Sequence, residues 1–178
     1  SRSINRKGLL LWMSHPAWPS MTWQTYDWYF EPNASYFGCK KGSEPLHIQW
    51  NPAENVIEVV NYSGGHQKSL IASALIMNID GQIIWEKECE IDSNEDSTNK
   101  CIEIEFPAET SEVHFIKLYL KKDGRILSEN FYINGTEYGN HQALKNIAKA
   151  DVKTKFSAHK VSPVVVSFNP TAAAISPA

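Results

Sequence analysis

Between residues 46 and 132 the chain breaks into seven short runs separated by turn residues, and this punctuation limits the open folds more than any other feature. Alternation of apolar and polar residues is visible in Val56-Ile57-Glu58-Val59-Val60, in Cys101-Ile102-Glu103-Ile104-Glu105-Phe106 and in Val113 through Leu120. A period of two places alternate side chains on opposite faces, the pattern of a strand with one buried face. The runs cover about 46–50, 55–61, 69–79, 83–90, 100–106, 113–121 and 126–132. Asp80-Gly81 and Asp123-Gly124 fall between such runs and are strong hairpin signals. The polar stretch Asp92 to Asn99 reads as a longer loop. Seven short strands without helical interruption predict a mainly β chain built on an immunoglobulin-like β-sandwich of about 90 residues.

The first 45 residues are patterned differently. Nine of the 20 aromatic residues fall within residues 12 to 37, a density that needs either a core or a sugar. Gly8 to Met13 is continuously apolar, as in a parallel strand buried on both faces, and Ser14-His15-Pro16 ends it in a turn. From Ser20, a candidate N-cap, Trp23, Tyr26 or Asp27, and Phe30 recur at spacings of three and four, which predicts a helix closed by Pro32. A second short helix is predicted over Tyr36 to Gly42. After Tyr132 come a short helix around Gln142 to Ala148, an alternating strand over Val152 to Phe156 and a further strand over Val164 to Phe168. Two strands cannot bury a domain of their own, so this end reads as the opening of another β-domain. The expected division is 1–45, 46–140 and 141–178.

Composition removes several classes of function. With 42% hydrophobic residues, 21% charged and a net charge of -3, the chain is globular and slightly acidic. No basic run exceeds two residues, which argues against nucleic acid, and no apolar stretch approaches the roughly 18 to 20 residues of a membrane span. The six histidines are scattered without metal-ligand spacing, and none neighbours a cysteine in a zinc pattern. Gly64-Gly65 is an isolated turn rather than a phosphate loop, and no serine sits in a nucleophile elbow. The reading assigns neither cofactor nor metal. Three cysteines, Cys39, Cys89 and Cys101, argue for free buried thiols over a disulfide framework, although Cys89 and Cys101 lie near facing strand ends. Asn33-Ala34-Ser35, Asn61-Tyr62-Ser63 and Asn134-Gly135-Thr136 fit the glycosylation acceptor pattern. The start, Ser1-Arg2-Ser3-Ile4, reads as an interior cut in a longer protein.

Three motifs follow one another early in the chain: Trp12-Met13-Ser14-His15-Pro16-Ala17-Trp18-Pro19-Ser20, then Trp23-Gln24-Thr25-Tyr26-Asp27, then Tyr36-Phe37-Gly38-Cys39-Lys40-Lys41-Gly42-Ser43-Glu44-Pro45-Leu46-His47. In order and spacing they resemble family 2 glycoside hydrolases of the exo-β-glucosaminidase and β-mannosidase branch, continuously over about residues 8 to 61 and more loosely to about 150. The resemblance implies that residues 1–45 are the last strand and helix of a (β/α)8 barrel and that the immunoglobulin-like sandwich follows. Barrel active sites lie at the C-terminal strand ends, so residues after Leu11 would rim the pocket. Trp12 is then the leading substrate contact, its indole face suiting the C–H face of a pyranose, with barrel-core packing as the competing role. His15 and Trp18 are further candidates. Relatives usually carry Leu-Asn-Asn where this chain has Ser14-His15-Pro16, so the polar contacts of that loop are not carried over.

The same resemblance implies a retaining β-glycosidase parent with its two catalytic glutamates on earlier barrel strands, so no catalytic residue is expected in this segment. Its partners would be a carbohydrate substrate and the rest of its own barrel. Glu86, Glu88 and Glu90, and Glu103 and Glu105, read as solvated strand positions rather than a catalytic pair. Asp27 and Glu44 read as solvated or capping carboxylates, and Lys40-Lys41 as a surface pair. The competing reading is a stand-alone carbohydrate-binding or adhesive immunoglobulin-like module, which needs an aromatic platform on the sandwich. Trp50, Trp85 and Tyr119 are more easily placed in or near the core.

Overall fold

The computed structural model describes residues 10–20 and 23–147, and the backbone of residues 152–160 and 166–174. A short helix α1 (Ala34–Gly42) leads into seven strands: β1 (Leu46–Asn51), β2 (Val56–Asn61), β3 (Gln67–Asn78), β4 (Ile83–Ser93), β5 (Ser97–Glu103), β6 (Val113–Lys122) and β7 (Arg125–Gly135). A 3-10 turn over Gln142–Asn146 follows, and β8 (Val152–Lys160) pairs antiparallel with β9 (Val166–Ala174). The first strand expected near the end therefore forms and runs on to Lys160; of the second, expected over 164–168, residues 164 and 165 lie outside the described residues and 166–168 belong to β9.

All pairings among β1 to β7 are antiparallel, in a three-stranded sheet of order β1-β2-β5 and a four-stranded sheet of order β4-β3-β6-β7. Every second residue of the central strands points between the sheets. Ile48, Ile57, Val59 and Ile102 from one sheet meet Leu70, Ala72, Ala74, Ile76, Ile116, Leu118 and Leu120 from the other, all essentially sealed from solvent. Trp50 and Trp85 pack against this core from its margin. The chain is mainly β with an immunoglobulin-like sandwich, in agreement with the sequence pattern.

Turn chemistry fixes the hairpins. Asp123 (φ 49°) and Gly124 (φ 75°) both adopt the left-handed region that a type I′ turn between β6 and β7 requires. Between β3 and β4, the Asp80 carboxylate accepts the Gln82 N–H at 3.0 Å and Gly81 sits at φ 87°. The polar stretch expected as a long loop over 92–99 is much shorter. Only residues 94–96 separate β4 from β5, and those few residues carry the chain from one sheet to the other. The buried Asn61 closes that corner, its amide donating to the carbonyls of Gly65 (2.8 Å) and Ser93 (3.3 Å).

Strands β1 and β7 lie at the edges of different sheets and share no ladder, so side chains bridge them. Ser128 Oγ accepts the Ile48 N–H at 3.3 Å, and Asn130 Nδ2 donates to the Ile48 carbonyl at 3.2 Å. The Tyr132 hydroxyl accepts the Trp50 N–H at 3.1 Å. Edge N–H and C=O groups left open cost free energy or invite pairing with another chain. Here β7 side chains satisfy three of those groups on β1, the Ile48 N–H and C=O and the Trp50 N–H.

Two expectations in the N-terminal part are corrected. Of the strand expected over 8–13, residues 8 and 9 lie outside the described residues, and residues 10–13 pair with no other described residue. A parallel strand takes its hydrogen bonds from strands on either side, and the described residues supply none. The helix expected from Ser20 to Phe30 is absent over the described residues 23–31. Asp27 is the cause: its carboxylate captures the N–H groups of Tyr29 (2.8 Å) and Glu31 (2.9 Å), and Phe30 turns to φ 63°. A short side chain that bonds its own following backbone offers a turn in place of a helix.

Candidate functional site

Residues 10–20 and 23–33 are loop, tied by a few specific bonds. The Ser14 carbonyl accepts the Tyr26 N–H at 2.9 Å and the Thr25 hydroxyl at 3.1 Å, so the segment after Met13 folds back on the Asp27 turn. Asn33 joins that turn to α1. Its side-chain oxygen caps the helix by accepting from Ser35 (3.0 Å) and Tyr36 (3.4 Å), while its amide donates to the Gln24 carbonyl at 2.6 Å.

The three candidate substrate contacts fall into two groups. Trp12 and Trp18 are 84% and 66% exposed, and neither ring packs on another aromatic ring among the described residues. His15 is half-buried and committed to packing. Its ring stacks on Phe30 at 4.2 Å between centroids and lies 5.8 Å from Trp28, and its Nε2 is 3.2 Å from the Trp28 carbonyl. The structure thus joins His15 to Phe30 and Trp28, residues that spacing alone had assigned to a helix, and leaves Trp12 and Trp18 open. Trp23, Tyr29 and Phe37 are also exposed, so this end of the chain offers a broad aromatic surface.

Glu44 has more to do than a solvated carboxylate. It receives Lys41 Nζ at 2.8 Å, Ser128 Oγ at 2.7 Å and His47 Nδ1 at 3.1 Å. It therefore joins α1, β1 and β7 at one point. Partial burial alone would raise its pKa, but the three hydrogen bonds and the Lys41 charge outweigh that and hold the carboxyl below its ordinary value. Nothing local marks this role, because Ser128 lies 84 positions away.

Among the described residues no group of histidine, cysteine and carboxylate side chains has the form of a metal site. All three cysteines are free. Burial, aided by the neighbouring Cys89, pushes the Cys101 thiol up to about 12. Glu86, Glu88, Glu90, Glu103 and Glu105 are all exposed. Each asparagine of the three acceptor triplets uses its amide as an internal donor: Asn33 to Gln24, Asn61 to Gly65 and Ser93, Asn134 to His114 Nε2 at 3.0 Å.

Residues 69–134 match the family described as the mannosidase Ig/CBM-like domain. Over 172 residues, 86% of the chain, the sequence is 29% identical to an exo-β-D-glucosaminidase of Arthroderma benhamiae, and over 127 residues it is 32% identical to the one of Hypocrea jecorina. It spans 20% and 14% of those two proteins. The crystal structure of the Amycolatopsis orientalis exo-chitosanase CsxA shares the fold, with a TM-score of 0.81 at 21% identity over 93% of this chain and 22% of that one.

Proposed function

We propose, for a chain that is a relative of the exo-β-D-glucosaminidases of glycoside hydrolase family 2, that its parent is an exo-acting retaining β-glycosidase. The parent releases terminal sugars from an oligo- or polysaccharide. This chain contributes one wall of the pocket and an accessory sandwich that braces the barrel. The division is residues 1–45 as the end of the catalytic barrel, 46–140 as the sandwich and 141–178 as linker and start of a further β-domain. The observation that carries the reading is the similarity to exo-β-D-glucosaminidases across 86% of the chain, a stretch that reaches beyond the sandwich into the exposed aromatic segment.

Trp12 stacks its indole on the apolar C–H face of the sugar to be released, for which an exposed ring with no aromatic partner among the described residues is well suited. Trp18 borders the same pocket, and His15, locked between Phe30 and Trp28, shapes the loop between them. A retaining mechanism needs a nucleophilic carboxylate and an acid/base carboxyl about 5 to 5.5 Å apart, and in this reading the rest of the parent supplies both. Offering the full-length parent a panel of β-linked aryl glycosides tests the proposal. Turnover of at least one sugar is expected, and silence across all of them overturns it.

A second reading, a stand-alone carbohydrate-binding module, draws on the half-exposed Phe131 and the exposed Tyr62 and Tyr138 of residues 46–140. Trp50 and Trp85 pack against the core, and Tyr119 lies beneath Lys117 and Lys121. Glycan binding by the isolated residues 46–140 would favour that reading.

A further inference from the structure

The four-stranded sheet has one face on the core, and the face turned away from it is divided in two. Cross-strand pairing sets Ile71, Ser73, Leu75 and Met77 of β3 beside Glu90, Glu88, Glu86 and Ile83 of β4 and beside Lys121, Tyr119, Lys117 and Phe115 of β6. Glu129, Phe131 and Ile133 of β7 complete the rows. One half is charged: Glu88 stands 4.0 Å from Lys121, and Lys117 and Lys121 lie over the Tyr119 ring. The other half gathers Leu75, Met77, Ile83, Phe115, Phe131 and Ile133. Phe131 stacks on Phe115 at 5.5 Å yet stays 50% exposed, as are Ile83 and Ile133 to a similar degree. An outward sheet face that meets only water alternates to polar residues. A contiguous apolar patch marks a surface that meets another surface.

We propose that this apolar half is the seat of the parent's catalytic barrel, made by residues of the same polypeptide outside this chain. The inference rests on the reading of the parent given above. Continuity selects the occupant: Lys41 of α1 lines one shallow cleft together with Lys117, Glu129, Asn130 and Phe131, so the helix borders the patch. That helix buries none of its own side chains and leads back into the exposed aromatic segment. Helix and patch thus leave one contiguous surface open. The relatives supply the mass to cover it, since the chain accounts for only 20% of the Arthroderma benhamiae protein. A saccharide fits less well, because Leu75, Met77, Ile83 and Ile133 offer hydroxyl groups no hydrogen-bond partner. Side chains from a barrel's outer helices would meet them by packing alone.

The test places photoreactive benzoylphenylalanine at position 131 of the full-length parent, irradiated at a concentration where sedimentation shows a monomer, and maps the cross-linked peptide. An intramolecular link to a helix of the barrel is expected. A link to another domain, a link between two copies, or no link overturns the proposal. Hydroxyl-radical footprinting gives a readout without substitution: Met77 and Phe131 oxidise readily in the 178-residue chain and lose most of that oxidation in the parent. Equal oxidation in both overturns the proposal. Assaying the same parent on aryl glycosides keeps the two readings apart, since an active enzyme with Phe131 open refutes the docking surface alone.

Discussion

Glu44 offers the sharpest test of how the aromatic segment is attached to the sandwich. Replacing it with alanine removes the acceptor shared by Lys41, Ser128 and His47. The Lys41 pair is about one-third exposed on both sides, and such a pair contributes at most about 1 kcal/mol. The bonds from Ser128 and His47 go to a charged acceptor and are better shielded, so each is worth about 1.5 kcal/mol. Water entering the vacated space recovers part of the sum, leaving a loss of about 2 to 3 kcal/mol for Glu44→Ala and about half that for Glu44→Gln. With a urea m-value of about 1.5 kcal/mol/M, the alanine variant should unfold about 1.3 to 2 M earlier at an unchanged slope. Tryptophan fluorescence of the 178-residue chain in urea measures this.

The pH dependence supplies the control. Because the folded carboxyl lies below its ordinary value of 4.5, the folded state favours the charged form. Glu44 therefore contributes its stability in full above about pH 4.5, and loses it as pH falls through the lower folded-state value. The gap between the native chain and Glu44→Gln should close over that window. Equal midpoints at pH 7, or a gap that persists unchanged at pH 3, would refute the reasoning.

Other outcomes follow from the same geometry. Trp12→Ala in the parent should lower kcat/KM by about 10- to 100-fold, the equivalent of about 1.4 to 2.8 kcal/mol of lost stacking. In the 178-residue chain the same substitution should barely move the melting temperature, because the ring is 84% exposed there; a large thermal shift would assign Trp12 to packing instead. His114 is buried, with Nδ1–H donating to the Ser111 carbonyl and Nε2 accepting from Asn134, and burial lowers its pKa below the ordinary 6.5. Its contribution is complete above about pH 6.5 and is lost as pH falls through the lowered folded value. Urea midpoints should therefore drop between pH 7 and pH 5, and less so in His114→Asn. With its thiol pushed up to about 12, Cys101 should resist iodoacetamide at pH 8 until the chain is unfolded; equal labelling before and after unfolding would contradict the packing around it.

How far the sequence carried depended on how local each cause was. The strands over 46–51, 56–61 and 113–122 match the alternating runs closely, because period-two patterning and Asp-Gly turns act within a few residues. The stretch 92–99 was misread because Ser97 to Lys100 begin a strand that carries polar residues at the margin of its sheet. The apolar spacing from Trp23 to Phe30 imitates a helix, yet one carboxylate at Asp27, taking two backbone N–H groups, wins locally. That outcome was within reach of the sequence, since aspartate competes for its own backbone.

Patterning alone determined that the chain is mainly β, that two sheets enclose an aliphatic core, and that aromatic residues crowd its first part. Tertiary structure decided which of those aromatics stay open: Trp12 and Trp18 face solvent, while His15 is held by Phe30 and Trp28. It also decided that Glu44 couples helix to sandwich and that Phe115 meets Phe131 on an outward face. Each of these results depends on which distant residues the fold brings together. Periodicity reports only which face a residue takes, and not what will stand opposite it.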